Sequence, residues 1–164
     1  MRLRKRNPVV REVQDDPQAA RLAALKLLNR RDYGARELGE RLVARGIEPA
    51  TAIAAVEMLV TERLVDDARY AEHFVAYHAN RGQGPIGIAF KLREAGVSPN
   101  LIAAAVDPES ADWRTRCAEV RRKRFGIKLP TTWIQRGRQA RFLSQRGFSA
   151  EQVRAAVGQF PGED

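Results

Sequence analysis

Residues 42–56 read LVARGIEPATAIAAV, residues 92–106 read LREAGVSPNLIAAAV, and residues 143–157 read LSQRGFSAEQVRAAV. The three stretches align on Gly46, Gly96 and Gly147, which are spaced 50 and 51 positions apart. Four residues before each glycine stands a leucine (Leu42, Leu92, Leu143), and directly after it an apolar residue (Ile47, Val97, Phe148). Each stretch closes on Ala-Val: Ala55-Val56, Ala105-Val106 and Ala156-Val157. A glycine with this spacing suits the left-handed position that ends a helix, and the apolar residue after it suits the contact that seals such an end. A second helix then starts at once. Pro49 and Pro99 fit a first turn, where the missing N–H costs nothing, Ser98 and Ser149 fit N-caps, and Ser149 with Gln152 forms a capping-box pattern.

Working outward, the first two units also match upstream. Asp16 and Asp66 each precede their glycine by 30 residues and read as N-caps of a leading helix; Arg31 pairs with Arg81 and Gly34 with Gly84 at equal offsets. The third unit opens at Asp107-Pro108, 40 residues before Gly147, with extra residues around RRKRFGIKLP (121–130). Each unit therefore predicts three helices: 17–30, 34–45 and 49–64; 67–80, 85–95 and 99–106; 109–124, 131–146 and 150–158. The expected buried stripes of the leading helices are Leu22, Leu25 and Leu28, then Tyr70, Phe74 and Tyr77, then Trp113, Cys117 and Val120. No sustained period-two alternation appears, so no strands are expected. The fold predicted is all-α, three tandem three-helix, helix-turn-helix-like repeats in an elongated, curved array. Its expected parts are a basic, mobile arm over 1–15, repeats over 16–65, 66–106 and 107–158, and a tail over 159–164.

Composition narrows the function. The chain has 164 residues, 44% of them hydrophobic, enough for a core. No apolar run reaches the roughly 18 residues that span a membrane, and the N-terminus lacks the apolar region of a secretory signal. The lone Cys117 excludes an intramolecular disulfide and a Cys-rich zinc site, and fits a reducing cytoplasm. With 29 Lys+Arg against 20 Asp+Glu, the net charge of +9 points to an acidic partner or a polyanion.

Two longer stretches carry a family likeness. RRDYGARELGERLVARGI (30–47) holds Glu37-Leu38 and Leu42 after an aromatic turn. RLVDDARYAEHFVAYHANRGQGPIGIAFKLREAGV (63–97) holds Asp66-Asp67, Arg69 and Tyr70-Ala71, then Gly82-Gln83-Gly84-Pro85. Over about 17–157 the chain resembles the RecX family of bacterial recombination regulators. Ile86-Gly87-Ile88 stands where many members carry an arginine near the proline. The resemblance implies three-helix repeats, no enzymatic activity, and binding to the RecA filament on DNA. It further implies inhibition of RecA's ATPase, strand-exchange and coprotease functions, and with it a place in DNA repair and the SOS response.

Read on their own, the residues argue against catalysis. Asp66 and Asp67 are sequence neighbours and do not converge on a helix; a cap and a favourable first-turn charge account for them. His73 and His78 are five apart, off the spacing of a zinc pair. Cys117 falls in apolar register and reads as a core thiol despite nearby Arg114, Arg116 and Arg121. Gly82-Gln83-Gly84-Pro85 reads as a turn and lacks the ending of a phosphate loop. No cofactor and no metal are expected.

The charge is uneven. Residues 1–65 carry net +4, residues 66–106 net zero, and residues 107–164 net +5. Arg114, Arg116, Arg121, Arg122, Lys123, Arg124 and Lys128 crowd fifteen positions against one acid, Glu119. Arg136, Arg138, Arg141 and Arg146 follow on the next helix. Such excess predicts an anion-binding face rather than a self-compensated one. The expected contacts to RecA or DNA are Arg31, Arg69, Arg81, Arg114, Arg121, Arg122, Lys123, Arg124, Lys128, Arg136, Arg138, Arg141 and Arg146. Trp113 and Trp133 lie beside these cations and can stack on bases, but both fit apolar helical positions and are expected in the core. The partners expected are RecA, as monomer or filament, and single- and double-stranded DNA through phosphates. The chain is expected to act as a monomer. Two other readings stay open: a stand-alone basic helical DNA-binding module and a protein-binding scaffold.

Overall fold

The computed structural model describes residues 13–158. Among them are nine helices: α1 (Pro17–Leu28), α2 (Ala35–Val43), α3 (Pro49–Thr61), α4 (Asp67–Asn80), α5 (Pro85–Glu94), α6 (Pro99–Ala105), α7 (Ala111–Phe125), α8 (Trp133–Gln145) and α9 (Ala150–Val157). The fold is all-α, built of three-helix groups. The fifty-residue period is visible in the backbone. Gly46, Gly96 and Gly147 take φ of 92°, 83° and 85°. At each, the next amide reaches back five residues: Ile47 to the Leu42 carbonyl (3.2 Å), Val97 to Leu92 (3.1 Å) and Phe148 to Leu143 (3.3 Å). These are the helix ends expected from the Leu-x-x-x-Gly-apolar signature. The three leucines are fully buried.

The caps follow the sequence closely. The Asp16 carboxylate accepts the Gln18 amide, and Pro17 opens α1. Ser149 and Gln152 form the complete capping box at α9. Two starts differ. The Ser98 side chain makes no cap bond. α7 begins at Ala111, two residues later than expected, because the Asp107 carboxylate accepts the Glu109 amide in a turn and Ser110 takes the cap position.

The chain divides into two units, one ending at Asp66 and one beginning at Asp67. In the first, α1, α2 and α3 surround Ala20, Ala24, Leu27, Leu38, Leu42, Ala52 and Leu59. The buried stripe of α1 is thus Ala20-Ala24-Leu27, one step round from the expected leucines; Leu22 is 55% exposed. Two alanines without exposed surface let α1 lie close against its neighbours, where larger side chains would hold it off. Positions 1–12 of the expected arm lie outside the described residues. Its end is not free: the Gln14 amide donates to the Gly46 carbonyl (2.8 Å) and the Glu48 amide to the Gln14 carbonyl (2.9 Å), an isolated parallel bridge. The tail expected over 159–164 also lies outside the described residues.

In the second unit, the second and third helix groups share one core: Tyr70, Ala71, Ile88, Leu92, Val97, Trp113, Cys117, Leu143, Phe148 and Val153. Tyr70 packs on Phe74, whereas Tyr77 is 56% exposed, against expectation. The ten added residues lengthen α7 through RRKRF to Phe125 and form the loop 126–132. Among the described residues, no helix is long and apolar enough to cross a membrane.

Candidate functional site

The turn Gly82-Gln83-Gly84-Pro85 is where the second and third helix groups lock together. The Gly84 amide donates to the Arg146 carbonyl (2.7 Å), and the Ile86 amide to the Gly147 carbonyl (3.0 Å). A Cβ on Gly84 would stand 2.4 Å from the Phe148 nitrogen, and one on Gly147 2.4 Å from the Gly87 nitrogen. Two backbones cross here with room for nothing larger than hydrogen. Gly84 caps α5 in extended conformation, and buried Pro85 opens that helix. The family-motif residues Gly82, Gly84 and Pro85 therefore build a joint.

Beside that joint opens a cleft of about 380 Å³. It is lined by Arg81 and Gly82 from the turn, Arg116, Glu119, Lys123 and Arg124 from α7, and Arg146 from the end of α8. α7 supplies three cations because Arg116, Lys123 and Arg124 recur at helical spacing on one face. The arginines that are pinned are held by neutral acceptors. Arg81 donates to the Tyr77 hydroxyl (2.8 Å) and lies 4.9 Å over its ring. Arg146 donates to the Arg81 carbonyl (3.0 Å) and packs on Phe142. Arg116 meets the Asn80 side-chain oxygen at 3.4 Å. A neutral acceptor orients a guanidinium without cancelling its charge, so the cleft keeps a positive field, with Glu119 the one carboxylate among its described lining residues.

The other expected contacts divide three ways. Arg122, Lys128, Arg138 and Arg141 are exposed, as is Arg69 in the first turn of α4. Arg31 and Arg114 are committed: Arg31 pairs with Glu37 (2.6 Å) and covers Tyr33 at 3.7 Å, and Arg114 pairs with Glu151. Arg121 and Arg136 correct the expectation, being buried at 4% and 8% exposure. Arg121 donates to the carbonyls of Gly126, Ile127 and Lys128 at 3.0–3.1 Å, so its fork ties down the loop after α7. Arg136 shares the buried stripe of α8 with Gln139 and Leu143. Neither presents its guanidinium to solvent as a phosphate contact must.

The two tryptophans also part. Trp113 is buried and donates to the Asp107 carbonyl at 2.8 Å, as a core tryptophan should. Trp133 is 71% exposed at the start of α8, contrary to the expected packing. Cys117 has no exposed surface, and burial pushes its thiol up to about 12, so it is an unreactive core residue. Asp67 stands in the first turn of α4, and Tyr70 lies in the core beneath it. Among the described residues, no three His, Cys, Asp or Glu side chains converge as metal ligands would.

Three family models match this chain: the RecX first three-helix domain at 20–59, the second at 66–106 and the third at 114–157. The chain belongs to the RecX family. It is 42% identical to the regulatory protein RecX of Halorhodospira halophila over 147 residues, covering 90% of this chain and 91% of that one. It is 40% identical to the Stenotrophomonas maltophilia protein of the same name, over 85% of this chain and 86% of that one. Among solved structures, the Lactobacillus salivarius RecX crystal structure superposes with a TM-score of 0.72 at 18% identity, over 86% of this chain and 94% of that one. A second RecX crystal structure gives 0.69 at 21% identity, over 85% and 70%. At that identity the structural likeness concerns the fold. The second RecX domain model runs from Asp66 to Val106, while the first and third begin inside α1 and α7.

Proposed function

We propose that this RecX-family chain regulates RecA, binding RecA and its filament on DNA and lowering its ATPase, strand-exchange and coprotease activity. It does so as a monomer, in the cytoplasm, without chemistry of its own. Family membership supports the choice of partner. The observation that carries the DNA half is the cleft lined by Arg81, Arg116, Lys123, Arg124 and Arg146, in which Arg81, Arg116 and Arg146 are held by neutral acceptors that leave their charge uncancelled. Cations so placed release counterions from phosphates and bind without regard to sequence. Several weak contacts, some to RecA and some to phosphates, add through effective concentration once the first has formed. The assay is RecA ATPase on single-stranded DNA with stoichiometric protein. Wild type is expected to suppress turnover, and the Lys123→Glu/Arg124→Glu double variant to lose about tenfold or more in apparent affinity, with a shallower dependence on salt. Unchanged RecA turnover in the presence of folded wild type overturns the reading. Tight, sequence-selective binding to naked duplex without RecA would instead favour a stand-alone DNA-binding module.

A further inference from the structure

Next to the cleft lies an exposed face that carries aromatic and apolar groups as well as charge. It lies on α8, where Trp133, Gly137 and Arg141 recur four residues apart, with Ile134 and Arg138 alongside. Trp133 and Ile134 are 71% and 82% exposed. A glycine in a helix interior costs roughly 1 kcal/mol against alanine. Here a Cβ on Gly137 would meet nothing within 4 Å, so no neighbour within the protein demands it. The bare turn instead leaves a shallow trough beside the indole. The trough is floored by Phe125 and Phe142 and edged by Arg124, Arg138 and Arg141, with no carboxylate among its described lining residues. Arg124 and Phe142 line both this trough and the basic cleft, so the two are continuous.

We propose that this α8 face is a stacking subsite for unpaired bases of single-stranded DNA, with Trp133 as the platform. The inference rests on the DNA-binding reading above and deepens it. A flat, exposed indole beside a positive track is the arrangement by which single strands are held: the track follows phosphates, and the ring takes a base through its π-face without regard to sequence. A paired base offers no free face, so the subsite discriminates strand state, which the cleft alone cannot. Gly137 leaves space for the sugar or neighbouring base to approach the helix backbone, and Arg138 and Arg141 meet the phosphates on either side.

The test uses the full chain and two probes of equal length and charge, dodecathymidylate and the same phosphodiester with every base removed, followed by fluorescence anisotropy. Wild type is expected to bind the thymidylate about tenfold or more tightly than the abasic strand, the gain a stacked base supplies. Trp133→Ala, its fold checked by far-ultraviolet circular dichroism, is expected to bring thymidylate affinity down to the abasic value. Trp133→Phe is expected to retain most of the preference. Tryptophan emission should fall on thymidylate binding in wild type and not in Trp133→Phe. Equal binding of the two probes by wild type overturns the stacking subsite while leaving phosphate binding intact. Failure to bind either probe overturns the DNA-binding reading itself. Loss of RecA binding in Trp133→Ala with its thymidylate preference unchanged assigns the face to a protein partner and overturns the proposal.

Discussion

At the residue scale, Gly84 and Gly147 show how one missing Cβ becomes a structural requirement. Gly147 is readable from the repeat as a helix terminator, a role it shares with Gly46 and Gly96. Its second role, accepting the backbone of the Gly84 turn against its own α-carbon, is invisible without the fold. A methyl at either position must push two main chains apart and disrupt the bonds from Gly84 and Ile86. We expect Gly84→Ala to lower the unfolding free energy by about 2–4 kcal/mol in urea titrations. Gly126→Ala is the control. It stands at a positive φ (88°), which Gly84 does not, but has open space around it, so it should cost about 1–2 kcal/mol, the backbone penalty alone.

At the scale of the element, α7 separates charges that the sequence presents as one basic run. Trp113 and Cys117 define its buried face, and Arg121 follows at the next helical interval, so it is carried inward. Arg122 and Lys123, one and two steps round, point to solvent. That periodicity could have flagged Arg121 from sequence; what could not be foreseen is its acceptor set, three carbonyls of the loop 126–128. Arg121→Ala strands those carbonyls and is expected to cost about 2–4 kcal/mol, whereas Arg122→Ala should stay within about 0.5 kcal/mol. Arg121→Lys should not restore the loss, since an ammonium cannot span three acceptors with a planar fork. Comparative thermal melts measure both.

At the scale of the whole molecule, two cores imply two stability reporters, one for residues through Asp66 and one from Asp67 onward. Both histidines belong to the second. Burial, with the nearby charge of Lys91 and of Arg81 and against a hydrogen bond donated to the Gln83 side chain, lowers the pKa of His78 from its usual 6.5. Its ring lies 4.1 Å from that of Phe74. A lowered folded-state pKa means the unfolded chain takes up the proton first. The stabilisation is therefore complete above about pH 6.5 and is lost as pH falls through the lowered value. Hydrogen exchange, corrected for intrinsic rates, should show core amides between 70 and 157 losing protection from pH 7.5 to 5.5, with those between 20 and 65 unchanged. His78→Gln should remove the difference. Uniform loss across both cores would contradict it.

The repeat, the nine described helices to within a few residues at their ends, most of the caps and the leucines before the repeat glycines were determined by sequence. The helix ends and caps rest on interactions spanning five residues or fewer, which the chain carries wherever it goes, and the repeat marks the leucines that neighbouring helices bury. The cleft, the outward Trp133 and the inward Arg121 and Arg136 were decided by tertiary structure. Their roles depend on which face of a helix meets a neighbour distant in sequence, and spacing along one helix constrains that face without naming what covers it.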